Sequence, residues 1–263
     1  MVFSNILHAL RDCARALLIA PSLVLASCSG SSDHAYYPLK GDAKPHPGVA
    51  SAQKLPVHGI DISRWQGEID WSEVRRAGTA FVFIKATEGG DHLDERFLAN
   101  WAGAKAAGIP RGAYHFMYWC RPAEEQAEWF RRNVPAEKDA LPPVLDAEWN
   151  GHSQTCPKKI SPERAREKIA IMLRAMQAHT GKKPIIYTDI PFHAEVLLGQ
   201  HGSHPFWLRS VAAEPHERYE NRGFAFWQYT TTGRVPGIKG AVDRNAFAGS
   251  RKEWLAFLEA NAR

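Results

Sequence analysis

Lysine and arginine never form a run longer than two in this 263-residue chain, although its net charge is +5. That scatter argues against a nucleic-acid partner. It leaves a solvated surface or a polyanionic polymer to account for the mild positive field. The apolar stretch "ALLIAPSLVLAS", residues 16–27, is too short to span a bilayer as a helix and is broken by Pro21. No internal repeat is present, which removes repeat architectures. The first candidate strand, "VHGIDIS" at 57–63, runs into "RWQGEID" rather than a glycine-rich phosphate turn. An open dinucleotide-binding sheet is therefore disfavoured. The histidine pair in "HGSH", 201–204, has no carboxylate-bearing helix beside it, and we expect no metal and no cofactor. Cysteine is scarce too, with four in the whole chain.

The N-terminus has the layout of an export signal. Arg11 and Arg15 precede the apolar stretch, which ends at Cys28. Residues Leu25 to Cys28, "LASC", resemble the lipobox of bacterial lipoproteins. By that resemblance Cys28 becomes the first mature residue and carries lipid, anchoring the chain in the cell envelope. Ser29 after it favours the outer membrane where a cell has two. An ordinary signal peptide with a chance cysteine is the alternative. Residues 29–54 are rich in Ser, Gly, Pro and Ala without periodicity and read as a flexible tether. The expected organisation is a signal peptide at 1–27, a linker at 28–54 and one folded domain at 55–263. Cys13 leaves with the signal, so Cys120 and Cys156 remain. Export favours a disulfide between them, 36 positions apart, over two buried free thiols.

Hydrophobic residues make up 44% of the chain and nine are tryptophan, enough for one sizeable core. Beyond residue 55, β-branched and aromatic runs alternate with helical patterns. Strands are expected at 57–63, 80–87, 109–118, 142–148 and 183–188, and helices at 70–78, 93–108, 123–134 and 161–181. The last helix has Ser161 as its cap, Pro162 in its first turn and Gly181 as terminator. After a brief helix at 191–199 the rhythm changes. "PFWLRSV", "FAFWQYT" and "GIKGAVDRNAF" follow with little helix between them, before a closing helix "SRKEWLAFLEANA". Strand–helix alternation means a parallel sheet. About eight strands in roughly 200 residues favour a closed α/β barrel over an open doubly wound sheet.

In such a barrel, functional residues gather at the C-terminal strand ends. In "LPPVLDAEWN", 141–150, Asp146 and Glu148 are two apart and share one strand face. The other ends carry Asp61, Lys85, Tyr114 to Phe116, Tyr187, Trp227 with Gln228, and Asp243. Four converging acids are hard to explain as packing, because clustered carboxylates repel. Lys85 and Glu88, in "IKATEG", are either substrate contacts or an ion pair at the barrel rim. His58 and His115 lie on strands and read as satisfied core or rim residues rather than metal ligands.

Together, "GIDISRWQGEIDW", "FVFIKATEG", "GAYHF", "LPPVLDAEW", "PIIYT" and "FWQYTTTGRVPGIKGAVDRNAF" resemble glycoside hydrolase family 25. These are the Chalaropsis-type lysozymes, or N-acetylmuramidases, and the likeness runs in order across 55–263. It implies a TIM-like (β/α)5(β)3 barrel, with eight strands and five regular helices. It also implies hydrolysis of the β-1,4 bond between N-acetylmuramic acid and N-acetylglucosamine in peptidoglycan. By the same resemblance the catalytic acids are Asp61, Asp146, Glu148 and Asp243. Glu148 is the proton donor. Asp146 assists the sugar's own acetamido group, and Asp61 and Asp243 bind sugar and tune the other two. A donor needs a pKa raised toward neutrality, expected here from the like charge of the other three acids and from desolvation by Tyr114 and Trp227. Substrate contacts are expected from Lys85, Glu88, Tyr114, Tyr187, Trp149, Trp227 and Gln228. Trp149 is read as a ring that stacks on a pyranose, whereas for Trp65 a core position is the stronger reading.

Two alternatives compete. A non-catalytic peptidoglycan-binding envelope lipoprotein would lose an acid, and all four are present. A chitinase-like hexosaminidase shares the D-x-E pair but carries a longer run of alternating acids, where this chain has "PPVL". One barrel with its own site needs no partner chain, so a monomer is expected.

Overall fold

The computed structural model describes residues 47–262. The expected signal peptide, Cys13 and Cys28 lie outside them. The strands are β1 (His58–Ile62), β2 (Val82–Glu88), β3 (His92–Leu93), β4 (Arg111–Phe116), β5 (Val144–Ala147), β6 (Ile185–Thr188), β7 (Phe206–Arg209), β8 (Phe226–Gly233) and β9 (Val242–Phe247). Eight of them close into a barrel in the order β1-β9-β8-β7-β6-β5-β4-β2, with β2 pairing back onto β1. The ninth, β3, forms a short antiparallel arm on the end of β2. All barrel pairings are parallel except those of β9, which runs antiparallel to both β8 and β1.

The connecting helices are α1 (Pro47–Ala52), α2 (Trp71–Arg76), α3 (Phe97–Ala106), α4 (Ala123–Asn133), α5 (Pro162–Thr180), α6 (Ile190–Phe192), α7 (Pro215–Arg218) and α8 (Arg251–Asn261). Their ends follow local chemistry. The Asp70 carboxylate accepts from the backbone N–H of Ser72 and Glu73 to start α2. Ser161 caps α5, and Gly181 ends it at φ 71°, a conformation glycine adopts without penalty. Past α6, which runs on into a π-helical turn at His193–Leu197, only the four-residue α7 separates the strands from β7 to β9, so the helical layer thins in the last third as the sequence suggests.

Period-two alternation sorts the strand residues into two packed layers. Ile60, Ile62, Ile84, Leu145, Ile186 and Leu208 face outward beneath the helices. Phe81, Phe83, Trp207 and Phe226 fill the barrel, with Phe83 stacked on Trp207 at 4.7 Å between ring centres. Glycine makes room for them. A Cβ at Gly59 would lie 2.5 Å from the Phe81 ring, and one at Gly112 would lie 2.8 Å from Phe83. Trp254 of α8 closes the bottom, 5.3 Å from both Phe81 and Phe247. The opposite end stays open.

Two expectations are corrected. The tether was expected to run to residue 54, yet the chain packs from α1 onward. Ala52 is fully buried against Trp227, Tyr229 and Ala246, and the Ser51 hydroxyl donates to Glu214. A small residue on one helical turn is enough to dock a segment whose composition reads as linker. The helix expected at 93–108 begins only at Phe97, because His92 and Leu93 pair with the end of β2. Cys120 and Cys156 do form a disulfide, with Cα atoms 5.6 Å apart. It joins the segment after β4 to the long segment after β5.

Candidate active site

The open end of the barrel holds a cleft of about 350 Å³. Asp61, Lys85, Tyr114, Asp146, Glu148, Tyr187, Gln228 and Asp243 all line it. The register brings them to one level. Phe116 pairs with Asp146, Asp146 with Tyr187, and Tyr187 with Trp207. On the other side Asp61 pairs directly with Asp243 across the antiparallel β1–β9 contact. The four acids therefore share one space although they come from three distant strands, β1, β5 and β9.

A hydrogen-bonded network forms the floor on the Asp61 side. Asp61 Oδ2 accepts from Asn245 Nδ2 at 2.7 Å and from Gln228 Nε2 at 3.0 Å. Each amide is oriented from behind. Trp207 Nε1 donates to Asn245 Oδ1 at 2.7 Å, and the Tyr187 hydroxyl donates to Gln228 Oε1 at 2.9 Å. Asp243 also bonds Asp61, and burial and the Asp61 charge push Asp243 well above the usual carboxylate range. Of the two, Asp243 is pushed the higher and is the more disposed to hold the shared proton. Burial raises Asp61 as well, while these three donors oppose that rise.

The Asp146–Glu148 side has fewer partners. Asp146 Oδ1 is buried and makes no hydrogen bond within the protein. Burial first, then the Glu148 charge, hold Asp146 well above its ordinary value. Burial also raises Glu148, to about 7. The leading like charge acting on it is Asp189, opposed by Arg209 and then Lys85. The sequence pointed to Asp146, Asp61 and Asp243 for that effect; Asp61 contributes, but less than Asp189, which the sequence reading did not name. Behind the strand, Trp119 Nε1 donates to the Glu148 carbonyl at 2.7 Å and fixes the backbone there. Lys85 is ion-paired with Glu88, whose carboxylate also accepts from the Tyr118 hydroxyl. Desolvation and nearby carboxylates keep the half-buried Tyr114 and the buried Tyr187 neutral, and Tyr187 spends its proton on Gln228. Among the described residues, no group of three or more His, Cys, Asp or Glu is arranged to hold a metal ion.

Four expectations about side chains change. Trp227 points away from the cleft. Its indole N–H donates to the Ser210 carbonyl at 2.7 Å and its ring packs among Ala52, Tyr229 and Ala246. Adjacent strand residues face opposite ways, so Trp227 and Gln228 never could both reach the mouth. Trp149 turns outward too, 4.7 Å from Phe192, with its indole N–H on Glu195. Glu88 stands behind Lys85 rather than lining the cleft. Trp65, read as core, is 77% exposed and stands on the cleft lip beside the Arg64 guanidinium. His58 and His115 are structural: His115 is fully buried between Thr87 and Gln126, and His58 bonds Tyr229 and the Leu55 carbonyl.

The sequence reading missed Trp207, Arg209, Asn245, Ser63 and Asp189. Parity could have found most of them. Asp189 is two past Tyr187, Asn245 is two past Asp243, and Trp207 and Arg209 share a face of "PFWLRSV".

Comparison with known proteins agrees with this geometry. The family model described as "Glycosyl hydrolases family 25" matches residues 60–238. "Lysozyme M1" of Streptomyces globisporus is 38% identical over 226 residues, covering 81% of this chain and 75% of that protein. The uncharacterized protein YegX of Escherichia coli K12 is 36% identical over 233 residues, covering 86% and 80%. A solved family 25 glycosyl hydrolase from Bacillus anthracis superposes with a TM-score of 0.70 at 34% identity, covering 76% of this chain and 93% of that one.

Proposed function

Because the chain belongs to family 25 of the glycosyl hydrolases, we propose that it is a lysozyme that cleaves the β-1,4 bond between N-acetylmuramic acid and N-acetylglucosamine in peptidoglycan. The observation that carries the residue assignment is Glu148, a cleft carboxyl raised to about 7. At that value a large fraction still holds its proton at neutral pH, as a donor to a leaving glycosidic oxygen requires.

Asp146 supplies the second role. A buried carboxylate with a bare oxygen resists ionisation, and a substrate amide N–H would provide the donor it lacks. The acetamido group of the bound sugar carries that N–H. Its hydrogen bond to Asp146 would both ionise Asp146 and aim the acetamido oxygen at the anomeric carbon. A newly ionised Asp146 would then strengthen the hold of Glu148 on its proton. The Asp61–Asp243 pair, fixed by Asn245 and Gln228, forms a polar wall that accepts sugar hydroxyls; Lys85 and Tyr114 donate to them, and the Tyr187 oxygen, its proton on Gln228, accepts.

Glu148→Gln is expected to abolish release of reducing muramic ends from purified peptidoglycan, read by mass spectrometry, with the melting temperature nearly unchanged. Retained release would remove Glu148 from the donor role. In the unsubstituted enzyme, activity should fall as pH rises through about 7, where the donor loses its proton.

We also propose that residues 1–27 are an export signal and that Cys28 is lipidated, holding the enzyme at the cell envelope. The support is the "LASC" pattern and the arginines before it. Cys28→Ala should move the protein from membrane to soluble fractions, and continued sedimentation with membranes would overturn the assignment.

A further inference from the structure

Ala147 of β5 pairs with Thr188 of β6, and Thr188 pairs with Leu208 of β7. One residue further along, Glu148, Asp189 and Arg209 therefore stand side by side at the mouth, about 5 Å apart from strand to strand. Glu148 and Arg209 line the cleft with Asp146, Tyr187 and Trp207, and Asp189 stands at the strand end between them. A carboxylate thus lies between the proton donor and an arginine. Its place is fixed. Asp189 Oδ1 accepts from the Phe192 backbone N–H at 2.9 Å, capping α6. The Tyr219 hydroxyl lies 3.3 Å from the Thr188 carbonyl and 2.5 Å from that of Arg209, tying the ends of β6 and β7 together at this level.

Resting on Glu148 as the proton donor, we propose that Asp189 is a positioning residue for glycan cleavage: held at the β6 end, its charge keeps the transferable proton on Glu148, and Arg209 on the next strand exerts the opposite bias. Asp189 does not line the cleft, so it acts through Glu148 and not on the sugar. The other groups facing Glu148 come from every side of the barrel: Asp61 on β1, Lys85 on β2, Tyr114 on β4, Asp146 on β5, Tyr187 on β6 and Asp243 on β9. Lys85, paired with Glu88, and Asp61, held by its amide donors, also act on Glu148, but less than Asp189 and Arg209 do. Asp189 itself faces Arg209, Glu195 and Lys159, and burial raises it. Asp189 and Arg209 are also the leading raising and lowering charges on Glu148.

The test uses Asp189→Asn, whose amide oxygen can still cap α6, and Arg209→Gln, both in the full chain. Two readouts are taken: the pH dependence of kcat/KM on peptidoglycan fragments, and the titration of the Glu148 side-chain carbon by 13C NMR without substrate. Asp189→Asn should move the descending limb and the Glu148 titration down by about one unit, and Arg209→Gln should move both up by a similar amount. Above the limb, a one-unit downward move is about a tenfold loss of activity. An unmoved Glu148 titration in Asp189→Asn with a native melting temperature would overturn the proposal. If that variant melts early, an unmoved titration in Arg209→Gln overturns it instead. Retained lysis in Glu148→Gln overturns the donor reading and this proposal with it. Lost lysis there, with unmoved titrations here, overturns the positioning role alone.

Discussion

Asn245→Asp perturbs the floor of the cleft by a single atom. Asn245 is fully buried, and its Nδ2 is 2.7 Å from Asp61 Oδ2 while its Oδ1 takes the Trp207 indole N–H. The substitution keeps the acceptor for Trp207 and replaces the donor to Asp61 by a second carboxyl oxygen. At 2.7 Å two carboxyl oxygens make a good hydrogen bond if a proton lies between them, and repel strongly if none does. The new group therefore acquires a folded-state pKa above its unfolded value of about 3.9, by about 2–3 units for two carboxylates sharing a site. At about 1.36 kcal/mol per unit, the cost at neutral pH is about 3–4 kcal/mol. The sign follows from linkage. A raised folded pKa leaves stability intact below about pH 4 and removes it as pH rises through the folded value. Urea midpoints measured beside the unsubstituted protein should nearly coincide at pH 4 and separate at pH 7.5. An equal loss at both pH values would refute the reasoning, since a packing defect has no reason to depend on pH. Asn245→Leu serves as contrast, because it strands the Trp207 N–H and should be destabilising at either pH.

Two further outcomes are expected. Trp65→Ala removes an exposed ring from the cleft lip. It should alter folding stability by less than about 0.5 kcal/mol while raising KM on long glycan strands severalfold with kcat unchanged, and an unaltered KM would deny the ring a binding role. Breaking the Cys120–Cys156 disulfide by serine substitution of both cysteines opens a 36-residue separation and should cost about 3–4 kcal/mol on the loop-entropy model. A urea midpoint insensitive to the substitution would refute it.

Much of the barrel was legible because its elements obey local rules. Asp70, Ser161 and Gly181 mark helix ends by side chains or backbone freedom that act within a few residues. The apolar faces of β2 and β5 are equally local, being written in period two. What escaped depends on distance. Ala52 docks on Trp227 across most of the chain, and nothing in "GVASAQK" announces it. Trp65 sits in a motif that reads as core, yet its ring finds no covering element. Asp189 looks like an ordinary helix cap, and it is one; its second role comes from the neighbouring strand ends.

Asp243 lines the cleft, although the strand-end rule that led to it does not fit its own strand. The rule that active residues lie at C-terminal strand ends would place the mouth end of the last strand near Phe247, because Asp243 is only the second residue of β9. It reaches the mouth because β9 runs backward between β8 and β1. The reversal has a visible cause. No helix separates β8 from β9, and the connection contains Pro236 with Gly237 and Gly240 at positive φ, so the chain turns back on itself instead of crossing over. Antiparallel pairing then sets Asp61 and Asp243 directly opposite one another, at a spacing where two carboxylates must share a proton or separate. A parallel last strand could present an acid at its far end, but not this register. The acid pair is thus a product of topology, and the hairpin that reverses β9 shapes the cleft as directly as the D-x-E strand does.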